Sequence, residues 1–232
     1  MRFCHLTFFQ HPSGASRVID DADLASLHTA IAAMPGLSRA YLYTPEQARD
    51  LYNDDGGSPV FGMQLYFDTI EGLEAAVAAT GPLRPLAEPG ALASLDGLEA
   101  NQQAMVLRRF AVDDPVPHPA SACSYVVHYP GPAQDFNAWI NHYVDHHPAI
   151  MRRFPGIREL EILTRMDWRD GLPWTRVHHM QRNRIMFDSP AALTAALQSP
   201  VRHEMRADFT TFPPYEGGNF HYPMATRLIA GR

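Results

Sequence analysis

Residues 34–44 read Met-Pro-Gly-Leu-Ser-Arg-Ala-Tyr-Leu-Tyr-Thr, and residues 154–164 read Phe-Pro-Gly-Ile-Arg-Glu-Leu-Glu-Ile-Leu-Thr, 120 positions later. In each, Pro-Gly stops a helical pattern and a strand follows, because proline cannot continue a helix and glycine suits its C-terminal cap. The same offset returns further on. Phe67-Asp68-Thr69 matches Phe187-Asp188-Ser189, and the helices that follow align without a gap. Met105 and Arg108 match Met224 and Arg227 at an offset of 119, and Pro12 matches Pro130 at 118. Near-constant offsets at separate places predict a tandem repeat of a β-α-β-β-α-β unit.

Outward from these anchors the rest of the chain falls into place. Strands are expected at 3–11, 37–44, 60–67 and 103–110, then again at 122–129, 157–166, 179–187 and 219–229. Helices are expected at 21–34, 69–79, 134–154, 190–197 and 201–209, with a further one over 83–98 broken by Pro89-Gly90. The polar segments 45–59 and 167–176 read as loops. This is an α+β chain of two ferredoxin-like repeats, 1–112 and 122–232, joined by a proline-rich linker at 113–121. Two such antiparallel sheets can pack as a fused barrel with helices outside. The alternative is two independent α+β domains.

Composition excludes several functions. All nineteen basic residues are arginine, so lysine Schiff bases, pyridoxal attachment and Walker-A phosphate binding are ruled out. A net charge of −6 without a basic block gives no footprint for nucleic acid. No apolar run reaches the length of a membrane span. Cys4 and Cys123 are the two cysteines, too few for a disulfide framework, which predicts free thiols and a cytoplasmic protein. The first residues read as a strand and not as a signal peptide.

Chemistry concentrates in the second repeat, which holds eight of the twelve histidines between 128 and 221. The densest stretch is His142-Tyr143-Val144-Asp145-His146-His147-Pro148. It lies in the helix expected at 134–154, whose start is marked by Asp135 and whose apolar stripe runs through Phe136, Ile140, Tyr143, Ile150, Met151 and Phe154, with His147 filling the gap. His142 and His146 share one face, and Tyr143 and His147 share another about 100° round. Pro148 inside the helix predicts a kink or a break.

The second half resembles the EthD-like domains of the dimeric α/β-barrel superfamily. The resemblance rests on Phe136 and Trp139 early in the helix, on His146-x-Pro148, and on Pro155-Gly156 leading into a strand. It implies a ferredoxin-like unit with the histidine of His-x-Pro, here His146, in a pocket between helix and sheet. The first half has no His-x-Pro, so it is expected to be the structural partner.

These observations predict an acid/base enzyme without organic cofactor, a lyase or isomerase for a small aromatic or conjugated carboxylic acid. His146 is the expected acid/base, with His142 or Asp145 orienting it. The expected substrate contacts are His128, Tyr143, His147, His179 and His221. Trp139, Trp174 and Tyr215 are expected as flat walls, with Arg176 pairing a carboxylate. Three alternatives stay open: a metal held through His142-x-x-x-His146, a monooxygenase without cofactor or with metal or haem, and a non-catalytic small-molecule-binding barrel. The partners expected are a small-molecule substrate and, at most, a second copy of the chain; no metal is assigned.

Overall fold

The computed structural model describes residues 2–13, 17–115 and 122–231. Most of the segment read as a linker, 116–121, lies outside the described residues. In chain order the elements are β1 (Phe3–Gln10), α1 (Asp21–Ala32), β2 (Leu37–Pro45), β3 (Phe61–Phe67), α2 (Ile70–Ala76), β4 (Glu99–Phe110), β5 (Ala122–Tyr129), α3 (Phe136–Met151), β6 (Glu159–Arg165), β7 (Thr175–Arg176), β8 (Gln181–Phe187), α4 (Pro190–Leu197), α5 (Pro200–Phe209) and β9 (Phe220–Gly231). Four helices start on side-chain caps: Asp20, Thr69, Asp135 and Ser189 each accept a backbone N–H three residues on. Each such cap contributes about 1 kcal/mol. No helix of the described residues is long and apolar enough to cross a membrane.

One expectation is corrected and another is narrowed. The span 83–98 holds two short 3₁₀ turns, at Arg84–Ala87 and Ala93–Leu95, not a helix; its prolines and glycines interrupt every run long enough to propagate one. Helix α3 does not break at Pro148 but continues to Met151. Proline deletes one intrahelical hydrogen bond, and the turn beyond it is anchored by the buried side chain of Met151.

One antiparallel sheet closes on itself. Its order is β1-β3-β2-β9-β5-β8-β6-β4, and β4 pairs back with β1, while the two-residue β7 adds to β4 in parallel. The fold is therefore α+β, an eight-stranded barrel with five helices among the described residues. The halves meet edge to edge, at β2–β9 and β4–β6. Registers repeat as well: Phe8 faces Gly62 as His128 faces Arg182, and Tyr41 faces Gln64 as Glu161 faces Arg184. Pro12 and Pro130 suggest Gln10 as the counterpart of His128, but the pairing makes it Phe8; the loop after the strand differs in length by two.

Alternation sorts each strand between two environments. Outward-facing residues pack under the helices in two cores, one around Leu27, Ile31, Leu65 and Leu73, the other around Tyr129, Trp139, Ile162 and Leu193. The barrel interior is aromatic and polar. Glu161 there is 1% exposed and accepts from Tyr66 Oη at 2.6 Å, Gln64 Nε2 at 3.2 Å, Arg184 Nε at 3.1 Å and Arg109 Nε at 3.2 Å. Arg184 also bonds Glu159, which in turn pairs with Arg39 at 2.8 Å.

Each β2–β3-type connection crosses to the other half. Residues 46–58 cover the second half's sheet, and residues 166–176 carry Trp168, Leu172 and Trp174 onto the first half's core. Gly171 seats this second crossing. Its N–H donates to Val77 O at 2.9 Å, and a Cβ there would lie 2.3 Å from the backbone nitrogen of Ala79. Gly171→Ala is expected to destabilise by about 1–3 kcal/mol, read as a lower urea midpoint; an unchanged midpoint would show that the crossing gives way freely.

Candidate functional site

The buried stripe of α3 is Trp139, Tyr143, His147 and Met151, spaced by four. Trp139 stacks on Tyr143 at 5.1 Å, and Tyr143 meets His147 at 4.8 Å between ring centres. His147 is the polar member, and α5 supplies its partner. Nδ1 of His147 lies 2.6 Å from Oδ2 of Asp208. Burial holds His147 below its ordinary pKa, and the Asp208 hydrogen bond opposes this without overcoming it. The hydrogen bond from His147 holds Asp208 below the usual carboxylate range. The pair is thus a neutral imidazole donating Nδ1–H to a carboxylate. Nε2 is the nitrogen left for a ligand.

His147 opens onto a cavity of ≈ 50 Å³ between α3, α5 and the outer face of β5, β8 and β9. Tyr125, Tyr129, Asn183, Arg202 and His221 line it too. Asn183 projects from β8, where its Nδ2 donates to Tyr143 Oη at 2.6 Å. Its Oδ1 is buried and without a hydrogen-bond partner among the described residues. A buried acceptor left unpaired costs about 1–3 kcal/mol, so a donor from a ligand or a water belongs there.

The loop 46–58 of the first half closes the cavity. Asp50 accepts from Arg202 Nε at 2.9 Å and from Tyr125 Oη at 2.8 Å. Asn53 sits between Arg202 and His221; with its amide oxygen towards both, it accepts from them at 2.8 and 3.1 Å. Asp55 accepts from His221 Nδ1 at 2.8 Å and from its backbone N–H at 2.6 Å. Burial of Asp55 would raise its pKa, but the bonds from His221 prevail and hold it low. Outside this seal a wider groove of ≈ 580 Å³ shares Asn53, Tyr125 and His221.

The residues predicted from sequence scatter over five places. His147 and His221 line the cavity. Trp139, Tyr143 and Tyr215 pack behind it as aromatic support: Tyr215 lies 5.8 Å from Trp139 and 6.0 Å from Tyr129. His142, Asp145 and His146 lie on the outer side of α3. Asp145 and His146 are exposed there; His146 Nδ1 bonds the carbonyl of His142 at 2.8 Å, and His142 Nε2 lies 2.9 Å from Thr211 Oγ1. The regular helix explains this, since only one of two histidines adjacent in sequence can join a stripe spaced by four. Their expected place in the pocket is corrected accordingly.

His128 and His179 also sit elsewhere, within and at one end of the barrel, 5.4 Å apart. Trp174 and Arg176 belong to the crossing onto the first half. Trp174 packs on Phe9 at 5.7 Å, and Arg176 lies over Trp168 and pairs with Asp170 at 3.1 Å. Sequence reading missed Asn183, Arg202, Asp208, Asp50 and Asn53. The last two stand in a segment recognisable only as a loop, and the others gain meaning only through contacts distant in sequence. Among the described residues no three His, Cys, Asp or Glu side chains converge as a metal-holding group.

Buried histidines make the fold acid-sensitive. Burial lowers His5 from 6.5 to about 4, a shift worth roughly 3 kcal/mol. His147 and His128 are lowered by the same cause. A depressed histidine pKa contributes stability that is full above 6.5 and is lost as pH falls from there towards the folded value. Urea midpoints are expected to drop between pH 7 and pH 4.5, and less steeply in His5→Gln; equal slopes in the two proteins would remove His5 from the account.

No family model matches this sequence, and no curated protein matches it. Similarity is found among solved structures, where it defines the fold. The closed α+β barrel is shared over nearly its full length with proteins of the dimeric α/β-barrel type. An anthrone oxidase-like protein superposes with a TM-score of 0.62 at 11% identity, over 99% of this chain and 94% of that one. A proposed monooxygenase from Lactobacillus acidophilus gives 0.51 at 10% identity, over 98% and 94%. An EthD-family protein from Bacillus halodurans covers 43% of this chain and 96% of its own at 20% identity, with a TM-score of 0.34, too partial to carry an argument.

Proposed function

We propose that this chain is an acid/base enzyme for a small, neutral aromatic compound bearing a hydroxyl or similar donor. His147 acts as the general base through Nε2, Asp208 fixes its tautomer and stabilises the imidazolium formed, and Asn183 Oδ1 accepts the donor that positions the ring. The observation that carries this reading is the His147–Asp208 pair at 2.6 Å beside an unpaired buried acceptor in one cavity. A carboxylate substrate fits less well. Arg176 lies on the other half, and Arg202 is already paired with Asp50 at 2.9 Å. The two halves act as fused ferredoxin-like repeats, the first lending its loop 46–58 to a site built on the second.

Proton removal serves two reaction classes. In a lyase or isomerase the resulting anion expels a group or is reprotonated elsewhere. In a cofactor-free monooxygenase it meets dioxygen, a second reading favoured by barrels named an anthrone oxidase-like protein and a proposed monooxygenase. The ≈ 50 Å³ cavity is smaller than an aromatic ring, so loop 46–58 must open towards the adjoining groove of ≈ 580 Å³ for a ring to reach His147. Phenols, naphthols and anthrones form the test panel, assayed with and without oxygen. Turnover in both conditions supports the lyase or isomerase, and oxygen-dependent turnover the oxygenase. No binding or turnover of any panel member by the wild-type protein would contradict the reading.

A further inference from the structure

Two arginines enter the barrel interior from β8, and their surroundings are opposite. Arg184 is fully buried and lies between Glu161, at 3.0 Å, and Glu159. Arg182, two residues earlier, is also fully buried, yet no carboxylate pairs with it among the described residues. Its Nη1 lies 3.3 Å from Nε2 of His128, and its guanidinium lies 5.2 Å from the centre of the Phe8 ring. Nε and Nη2 have no hydrogen-bond partner, and neither does the buried Nδ1 of neighbouring His179. In the first half the register places Phe8 and Gly62 where the second has His128 and Arg182, so the barrel does not need this charge to close.

A buried charge without a counter-ion is strongly unfavourable, and the histidines beside Arg182 do not supply one. We propose that the barrel interior binds a small monovalent anion, a carboxylate of acetate size or a halide, on Nε and Nη2 of Arg182. One uncompensated guanidinium calls for one negative charge. The Nε/Nη2 edge presents two parallel N–H donors, the geometry that takes a carboxylate in bidentate fashion. Half-buried His179 stands at the barrel end beside this group, its ring 5.4 Å from that of His128. The site is separate from the His147 cavity, which lies on the other face of the same sheet, and it stands whether or not the proposed catalysis does.

The test is thermal unfolding of the full chain in sodium acetate, sodium chloride and sodium gluconate at equal ionic strength. Acetate or chloride is expected to raise the melting temperature of the wild type by about 5 °C over gluconate, saturably. Arg182→Met is expected to melt above the wild type in gluconate and to lose the anion effect. Equal wild-type melting in all three salts, or an anion effect that survives in Arg182→Met, would overturn the proposal. Should that variant not fold, a bromide-soaked crystal of the wild type decides: an anomalous peak within hydrogen-bond reach of Nε and Nη2 supports the site, and ordered water alone in that position overturns it.

Discussion

His147→Gln is expected to lower kcat/KM by about 10²- to 10⁴-fold, while His146→Gln leaves it within about twofold. The two residues are neighbours in sequence, and the structure separates them completely. His147 is 4% exposed, engaged by Asp208 and open to the cavity; His146 is exposed and bonded to its own helix. Asp208→Asn should reproduce much of the loss, because an amide oxygen can still accept from Nδ1–H but holds the developing imidazolium less strongly. Measuring both histidine variants on one substrate checks this directly. If His146→Gln were the damaging change, the base would have to be sought on the outer side of α3.

Glu161→Ala should cost about 3–5 kcal/mol of folding stability. Glu161 collects hydrogen bonds from Tyr66, Gln64, Arg184 and Arg109 in the barrel interior. Removing it takes a shared acceptor from side chains on β3, β4 and β8 at once. Arg184 keeps only Glu159 of its two carboxylates. The loss should appear as a fall in the urea midpoint with little change in slope. A midpoint within experimental error of the wild type would mean that water refills the gap and that the network contributes specificity, not stability. Glu161→Leu should be milder, since apolar volume replaces part of what is lost.

The order of elements was readable because each rule acts over a few residues. Pro35-Gly36 and Pro155-Gly156 stop helices through their own backbone limits, and Asp135 caps α3 through a hydrogen bond three residues on. The site was less legible. Sequence pattern placed Tyr143 and His147 on one face and His142 and His146 on another, and identified His147 as the member that completes the apolar stripe. Choosing His146 from the His-x-Pro pattern favoured the outer pair. What selects between them is Asp208 on α5, 61 residues away, and no local spacing encodes that contact. The first half's contribution was hidden for the same reason. Asp50 and Asn53 look like turn residues until the loop is seen to cross onto Arg202 and His221. Arg176 and Trp174 lie away from the cavity for the mirror reason, since their loop crosses the other way.

The most direct test of the account is the tautomer of His147, read from two-bond ¹H–¹⁵N correlations of the histidine rings at pH 7 and assigned through His147→Gln. A neutral ring carrying its proton on Nδ1 is expected, with Nε2 unprotonated and shifted when a phenolic ligand is added. A ring protonated on Nε2, or an imidazolium at pH 7, would contradict it, because neither leaves Nε2 free to take a proton.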